Sequence, residues 1–320
     1  MRRRTMMLAG AASLAAGMGL GLLGGTMLAP PPPIPKPRAE PPVAVAPDPP
    51  ATETSPRTVV EEEAPAPPPP PPAAAPKPPK GKPAWEKFAV AEPATGGHPR
   101  IAVIIDDMGL DRRRSERVLA LPGPLTISFM SYAEDLAHQA GEARSHGHEL
   151  MMHVPMEPLG EAMDAGPGVL SESLPVEELR KRLVADLDRF QGYVGINNHM
   201  GSKFTANAPG MHLVMEELHR RGLLFVDSLT TDHSVGMAES RRAAVPSAAR
   251  NVFLDNEADQ TSVNGQLAKL EDLARRKGDA IAIGHPRDGT IAALAAWLPT
   301  LSAKGLVLVP VTAVVRARGK

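Results

Sequence analysis

Ile101-Ala102-Val103-Ile104-Ile105-Asp106 is an apolar run closed by a carboxylate. A run of this length reads as a strand buried on both faces, as in a parallel sheet. Residues 112–121 read as a helix, 126–130 as the next strand and 135–145 as the next helix. The alternation then repeats. Strands are expected over 149–153, 193–199, 224–228, 251–255, 280–285 and 306–311. Helices are expected over 176–190, 209–221, 260–277 and 290–301, the first opened by Pro175 and acidic residues. Strict β/α alternation implies an α/β fold with a parallel sheet covered by helices. About seven or eight such units favour a barrel over an open sheet.

N-terminal to this region the composition changes. Of the 36 prolines, 23 lie between Pro30 and Pro83. Such a stretch cannot bury enough apolar surface to fold. Residues 30–97 are therefore expected to be a disordered, proline-rich linker, reaching on the order of 200 Å if fully extended as polyproline II. A ligand for a proline-reading domain is the alternative. Before it, Arg2, Arg3 and Arg4 precede an uncharged run of 25 residues, 5–29. About 20 apolar residues span a bilayer. Residues 1–29 are expected to anchor the chain in a membrane, with the arginines on the cytoplasmic side and the rest exported. A cleaved signal peptide, giving a secreted protein, is the rival reading. The third segment, 98–320, is the globular domain.

Composition excludes several functions. The chain has no cysteine, which removes disulfides, thiol nucleophiles and Cys-type zinc sites. Aromatics are 3% and the net charge is −1, so no nucleic acid is expected as partner.

Chemistry on a parallel β/α barrel gathers at the C-terminal ends of the strands. Here those ends read Ile105-Asp106-Asp107-Met108-Gly109, Met152-His153-Val154-Pro155-Met156-Glu157, Asn197-Asn198-His199-Met200, Val226-Asp227-Ser228 and Ile283-Gly284-His285. Carboxylates and histidines would converge on one face. Asp227 and Asp255 can equally be helix caps. His138, His146, His148, His212, His219 and His233 fall on expected helices or loops and read as surface residues. Aspartate with two histidines suits Zn2+ or another divalent metal and leaves a position for water. Such a metal lowers the pKa of its water to about 7. A second carboxylate can take the proton of that water, and a histidine across the pocket can protonate a leaving group.

Three long motifs carry a family resemblance: Asp106-Asp107-Met108-Gly109, the stretch from Gly147 to Pro158, and the stretch from Gly195 to Ser202. With Phe225-Val226-Asp227-Ser228 and Ile281-Ala282-Ile283-Gly284-His285-Pro286, they resemble the divergent polysaccharide deacetylase family over residues 99–316. The resemblance implies a distorted parallel (β/α) barrel of the NodB type and removal of N- or O-acetyl groups from polysaccharide with a divalent metal. It implies Asp106 as general base, Asp107 and His153 as metal ligands, and His285 as catalytic acid. The chain departs from ordinary deacetylases in two places. Glu157 stands where a second motif histidine is usual, and Asn197-Asn198-His199-Met200 replaces an Arg-Pro-Pro-Tyr motif. His199 is expected to restore the lost ligand, with Glu157 the alternative. Glu157, Asn197, Asn198 and Asp227 are expected to face substrate, and an Asn197 or Asn198 amide can donate to an oxyanion.

The expected activity is metal-dependent deacetylation of a polysaccharide or peptidoglycan-type glycan in the periplasm. The alternative is a catalytically degenerate envelope protein that binds glycan or an envelope protein partner through the same cleft. Phosphoester hydrolysis is disfavoured by the low basicity near the motifs, with Lys203 and Arg287 the cations weighed there.

Overall fold

The computed structural model describes residues 81–160 and 163–319. The expected anchor and most of the expected linker lie outside the described residues. The element order is α1 (Ala84–Lys87), β1 (Arg100–Met108), α2 (Arg112–Leu119), β2 (Thr126–Met130), α3 (Leu136–Ser145), β3 (Glu149–Met156), α4 (Val176–Leu187) and β4 (Gly195–Met200). It continues with α5 (Ala208–Arg221), β5 (Leu224–Asp227), α6 (Gly236–Arg242), β6 (Ser247–Ala249), β7 (Val252–Phe253), α7 (Gln260–Lys277), β8 (Asp279–Gly284), α8 (Asp288–Trp297), β9 (Val307–Leu308) and α9 (Val311–Arg318).

All pairings are parallel, in the order β6-β5-β4-β3-β2-β1-β8-β7. The path ends at β6 and β7, so the sheet curls into a half-barrel with helices around it. β1 is central because both its edges are used along its length. β8 pairs with one edge from Arg100 to Ile105; β9 takes the start of β1, and β2 pairs from Ile104 onward.

Two apolar layers result from strand alternation. Ile101, Val103 and Ile105 face outward into the core shared with the helices. Ala102 and Ile104 face inward, with Met151, Val226, Ile281 and Ile283. The inward layer is covered by α9, through Val311, Ala313, Val314 and Val315. Residues 306–311 were expected to be a strand; only Val307–Leu308 is one, and the β-branched run that follows is helical. Its valines cost about half a kcal/mol each in helix propensity. Full burial of such a side chain returns about 1.5–3 kcal/mol, so tertiary packing wins. α6 and β6 carry no apolar run or clear period and were not expected from sequence.

Glu149 anchors α9. It is fully buried, and its carboxylate accepts from Thr312 N (3.0 Å), Thr312 Oγ1 (2.6 Å) and Val90 N (3.2 Å). Burial raises its carboxyl above the usual range against the pull of those hydrogen bonds. Glu149→Ala leaves these donors without an acceptor and is expected to cost about 2–4 kcal/mol. Urea unfolding at unchanged m-value measures it. The Val90 contact belongs to a segment N-terminal to residue 98 that packs on the domain: Trp85 N also donates to Gly222 O, and Arg100 Nε to Glu92 (2.8 Å).

His148 corrects an expectation: it is a core residue, not a surface one. It is fully buried, Nδ1 accepts from Leu125 N (3.1 Å), and Nε2 meets Leu119 O at 3.0 Å. Burial pushes its pKa down. The ring satisfies two backbone groups that the loop between α2 and β2 cannot pair itself.

Asp186, on α4, has a buried oxygen without a partner, and burial raises its pKa to about 6. The folded value lies above the unfolded one, near 3.9. Folding therefore favours the protonated form, and this stability is lost as pH rises from about 4 through 6. Asp186→Asn should remove that part of the pH dependence, measured as unfolding midpoints at pH 4.5 and 7.5.

Candidate active site

Successive residues of a strand point to opposite faces, so Asp106 and Asp107 should not share one. A register shift in β1 between Ile105 and Met108 and a left-handed Asp107 (φ 54°) break the alternation. Aspartate tolerates that region better than most residues. Both carboxylates consequently approach His153: its Nε2 lies 3.6 Å from Asp106 Oδ2 and 3.5 Å from Asp107 Oδ1.

β3 delivers His153 in register with Asn197 on β4. Asn197 is the hub of the inner layer. Its Oδ1 accepts from Ser128 Oγ (2.6 Å) and lies 2.9 Å from His153 Nδ1. Its Nδ2 donates to both oxygens of Asp106 (2.8 and 2.9 Å) and lies 3.2 Å from Ser228 Oγ. A carbonyl oxygen facing Nδ1 places the ring proton there and leaves the Nε2 lone pair free. Burial, with the nearby His199 ring, lowers the His153 pKa to about 3, so the ring is neutral.

His199 completes a cluster. Its Nδ1 is 3.0 Å from Asp107 Oδ1 and 3.3 Å from His153 Nε2. One donor atom each from Asp107, His153 and His199 lie within 4.8 Å of one another. Asp107 Oδ1 is buried and has no hydrogen-bond partner. Burial alone would raise the Asp107 carboxyl, but the close His199 imidazole, with His153 and His285 nearby, holds it well below the usual range. Two imidazole nitrogens and an unpartnered carboxylate oxygen turned toward one point fit a divalent cation.

Asp106 differs from its neighbour. It is buried, and burial lifts its pKa to about 7 against the opposing pull of His285 and Asn197. Across the cluster stands His285, beyond the end of β8. Its Nδ1 lies 2.9 Å from Asp255 Oδ1, and its backbone N donates to Asp255 Oδ2 (2.7 Å). Thr290 Oγ1 donates to the same oxygen (2.7 Å). The other ring nitrogen, Nε2, is 3.8 Å from Asp107 Oδ2. Burial would lower the imidazole, yet the Asp255 bond and the surrounding carboxylates outweigh it and the net shift is upward.

Asp106, Asp107, His153, His199, His285 and Asn197 are thus brought together. Glu157, Asn198 and Asp227 are engaged elsewhere. Glu157 pairs with Lys203 (2.7 Å) and accepts from Ser171 Oγ (2.5 Å) and Glu172 N (2.9 Å). Asn198 accepts from Ser228 N (3.0 Å) and donates to Met200 O (2.7 Å). Asp227 accepts from Leu229 N (2.9 Å) and Ser234 Oγ (2.7 Å), shaping the turn after β5.

Four residues gained a place that the sequence reading had not given them. Asp255, read as a cap or strand end, holds His285. Ser128 and Ser228 bracket Asn197. Arg250 donates to Ser228 O (2.7 Å) and Leu229 O (2.9 Å). Asp255 ends an expected strand beside the others, and that position was a signal. Arg250 had none.

Fold and site together define a curled parallel α/β domain with an Asp-His-His donor set flanked by an aspartate and a histidine–aspartate pair. The chain belongs to the divergent polysaccharide deacetylase family, whose model matches residues 103–315. It is 34% identical over 207 residues to the uncharacterized protein YibQ of Escherichia coli K12, covering 65% of this chain and 64% of that one. It is 32% identical over 202 residues to an uncharacterized protein of Haemophilus influenzae, covering 63% and 72%. The crystal structure of uncharacterized protein ATU2773 from Agrobacterium tumefaciens C58 superposes with a TM-score of 0.70 at 28% identity, over 72% of this chain and 94% of that one. The chain spans just under two thirds of the length of YibQ, its Escherichia coli relative.

Proposed function

We propose that the protein is a hydrolase that removes N- or O-linked acetyl groups from an envelope glycan, using a divalent metal held by Asp107, His153 and His199. The observation that carries this reading is the buried, unpartnered Asp107 Oδ1 facing two imidazole nitrogens. Zn2+ suits that donor set, and when bound it supplies Lewis-acid polarisation of a carbonyl and a more acidic water.

The chain's own groups then divide the proton work. Asp106, fixed by the two Asn197 donors, accepts the proton of the attacking water at a carboxylate oxygen. Its raised pKa suits a base working near neutrality. Water oxygen adds to the acetyl carbon, and the bond to the sugar nitrogen or oxygen breaks. His285 Nε2 gives a proton to that departing atom, with Asp255 holding Nδ1. The products are acetate and a free amine or hydroxyl.

Activity should rise with pH through the ionisation of Asp106. Beside a bound cation its pKa falls, so the acid limb of kcat/KM belongs at or below about pH 7. Asn197→Ala should weaken metal binding or activity by about 10–100-fold, since it removes the group that orients both His153 and Asp106. Release of acetate from acetylated chitooligosaccharides and peptidoglycan, assayed with and without chelator, tests the reading. Metal-loaded protein that releases none from either would overturn it. The anchor and linker read from the sequence support work in the periplasm, tethered to the inner membrane.

A further inference from the structure

Beside the donor cluster lies a cavity of about 430 Å³, lined by Gly109, Leu110, Arg112, Tyr132, Glu134 and Asp135 among others. One wall follows β1 directly and begins two residues after Asp107. The other follows β2. We propose that this cavity is a subsite for the sugar ring next to the acetylated one, with Tyr132 as its platform. The proposal rests on the deacetylase reading for the register of the glycan, but not for the existence of the site.

The cavity is built rather than incidental. Gln139 is buried and ties its two walls, donating to Gly109 O (3.3 Å) and Glu134 O (2.8 Å). Arg189 holds the β2 wall from the other side, Nε to Ser131 O (2.9 Å) and an Nη to Ala133 O (3.2 Å). Gly109 lets the walls meet: it sits at φ 96°, and a Cβ there would lie 2.8 Å from Ala133 Cβ. Gly166 does the same for the aromatic ring. A Cβ at Gly166 would come within 2.7–2.9 Å of Tyr132 Cε1, Cζ and Oη. The ring is thus seated against the loop between β3 and α4.

Backbone strain points to the same face. Among the described residues, four of the five non-glycine residues with left-handed backbone, Asp107, Asp135, Met200 and Leu229, lie at the end of a strand or on the connection after it; the fifth, Ala244, precedes β6. Such conformations concentrate where structure is held for binding or catalysis.

The lining has the chemistry of a sugar site. Tyr132 is half-buried and offers an apolar ring with a polar tip. Leu110 is exposed beside it. Arg112 and Asp135 approach only to 3.8 Å, so guanidinium and carboxylate keep donors and acceptors for hydroxyl groups. Glu134 is exposed and adds a second carboxylate. A site for a simple anion would not carry two carboxylates, and one for a lipid chain would not carry three charged groups.

The test is calorimetric titration of the metal-loaded full chain with chitotetraose, in a His285→Ala background that blocks turnover. Tyr132→Ala is expected to weaken binding at least about tenfold, which is about 1.4 kcal/mol. Gly166→Ala, which displaces the ring without removing it, should weaken it in the same direction, with an unchanged far-UV spectrum in both. Equal affinity in the parent and Tyr132→Ala would overturn the subsite, as would a parent that does not bind chitotetraose. Acetate release by the wild-type chain is measured separately. Tyr132-dependent binding without acetate release from chitooligosaccharide or peptidoglycan would keep the subsite and remove the hydrolase reading. Acetate release from chitotetraose with a KM that Tyr132→Ala leaves unchanged would remove the subsite alone.

Discussion

Asp107→Ala should leave a folded protein that no longer retains a divalent metal, with deacetylation reduced by about 10³-fold or more. The size follows from what is removed. A metal contributes several kcal/mol of transition-state charge stabilisation, and each 1.36 kcal/mol is tenfold in rate. Asp107 gives the cluster its negative charge: His153 is neutral, and Asp107 Oδ1 is the oxygen that lies among the imidazole nitrogens. Alanine at φ 54° adds a modest backbone cost, so Asp107→Asn is the proper companion. Asparagine tolerates the left-handed backbone and keeps the shape but not the charge. Both variants should lose metal by elemental analysis while their unfolding midpoints stay close to wild type. Metal retained at wild-type stoichiometry in both would exclude Asp107 as a ligand.

His285→Ala should separate chemistry from metal binding. His285 reaches the cluster only at 3.8 Å and makes its hydrogen bonds to Asp255, so its loss leaves the three donors in place. A general acid is worth about 10²–10⁴-fold, and kcat should fall by that amount with metal content unchanged. Asp255→Asn should reproduce part of the defect. It removes the charge that holds Nδ1 protonated and the ring pKa up, so the basic limb of the rate profile should move to lower pH. A His285→Ala enzyme with wild-type kcat would end the acid role.

Some of this was legible in sequence because strand burial and strand ends leave strong marks. The apolar run before Asp106 and the polar residues closing each later run needed no structure to align. The pairing of Asp107 with Asp106 on one face was not legible from alternation, since it depends on a register shift and one left-handed residue. Asn197 was read as facing substrate; its bonds to Asp106, His153, Ser128 and Ser228 make it an internal strut. That distinction rests on contacts between strands far apart in sequence. His148 was misread because a histidine between Gly147 and Glu149 looks solvated, whereas Glu149 is itself buried beneath α9. α9 shows the same limit: its valines favour a strand locally, and only the unfilled interior of the sheet makes them helical.

The proposed reaction requires that Asp107, His153 and His199 hold one metal ion. Elemental analysis of the chain purified without chelator, beside His153→Ala and His199→Ala, tests it most directly. About one divalent ion per wild-type chain is expected, zinc foremost, lost in both variants while each remains folded. Wild-type protein that carries no metal and cannot be reloaded, or full occupancy in both variants, would contradict it.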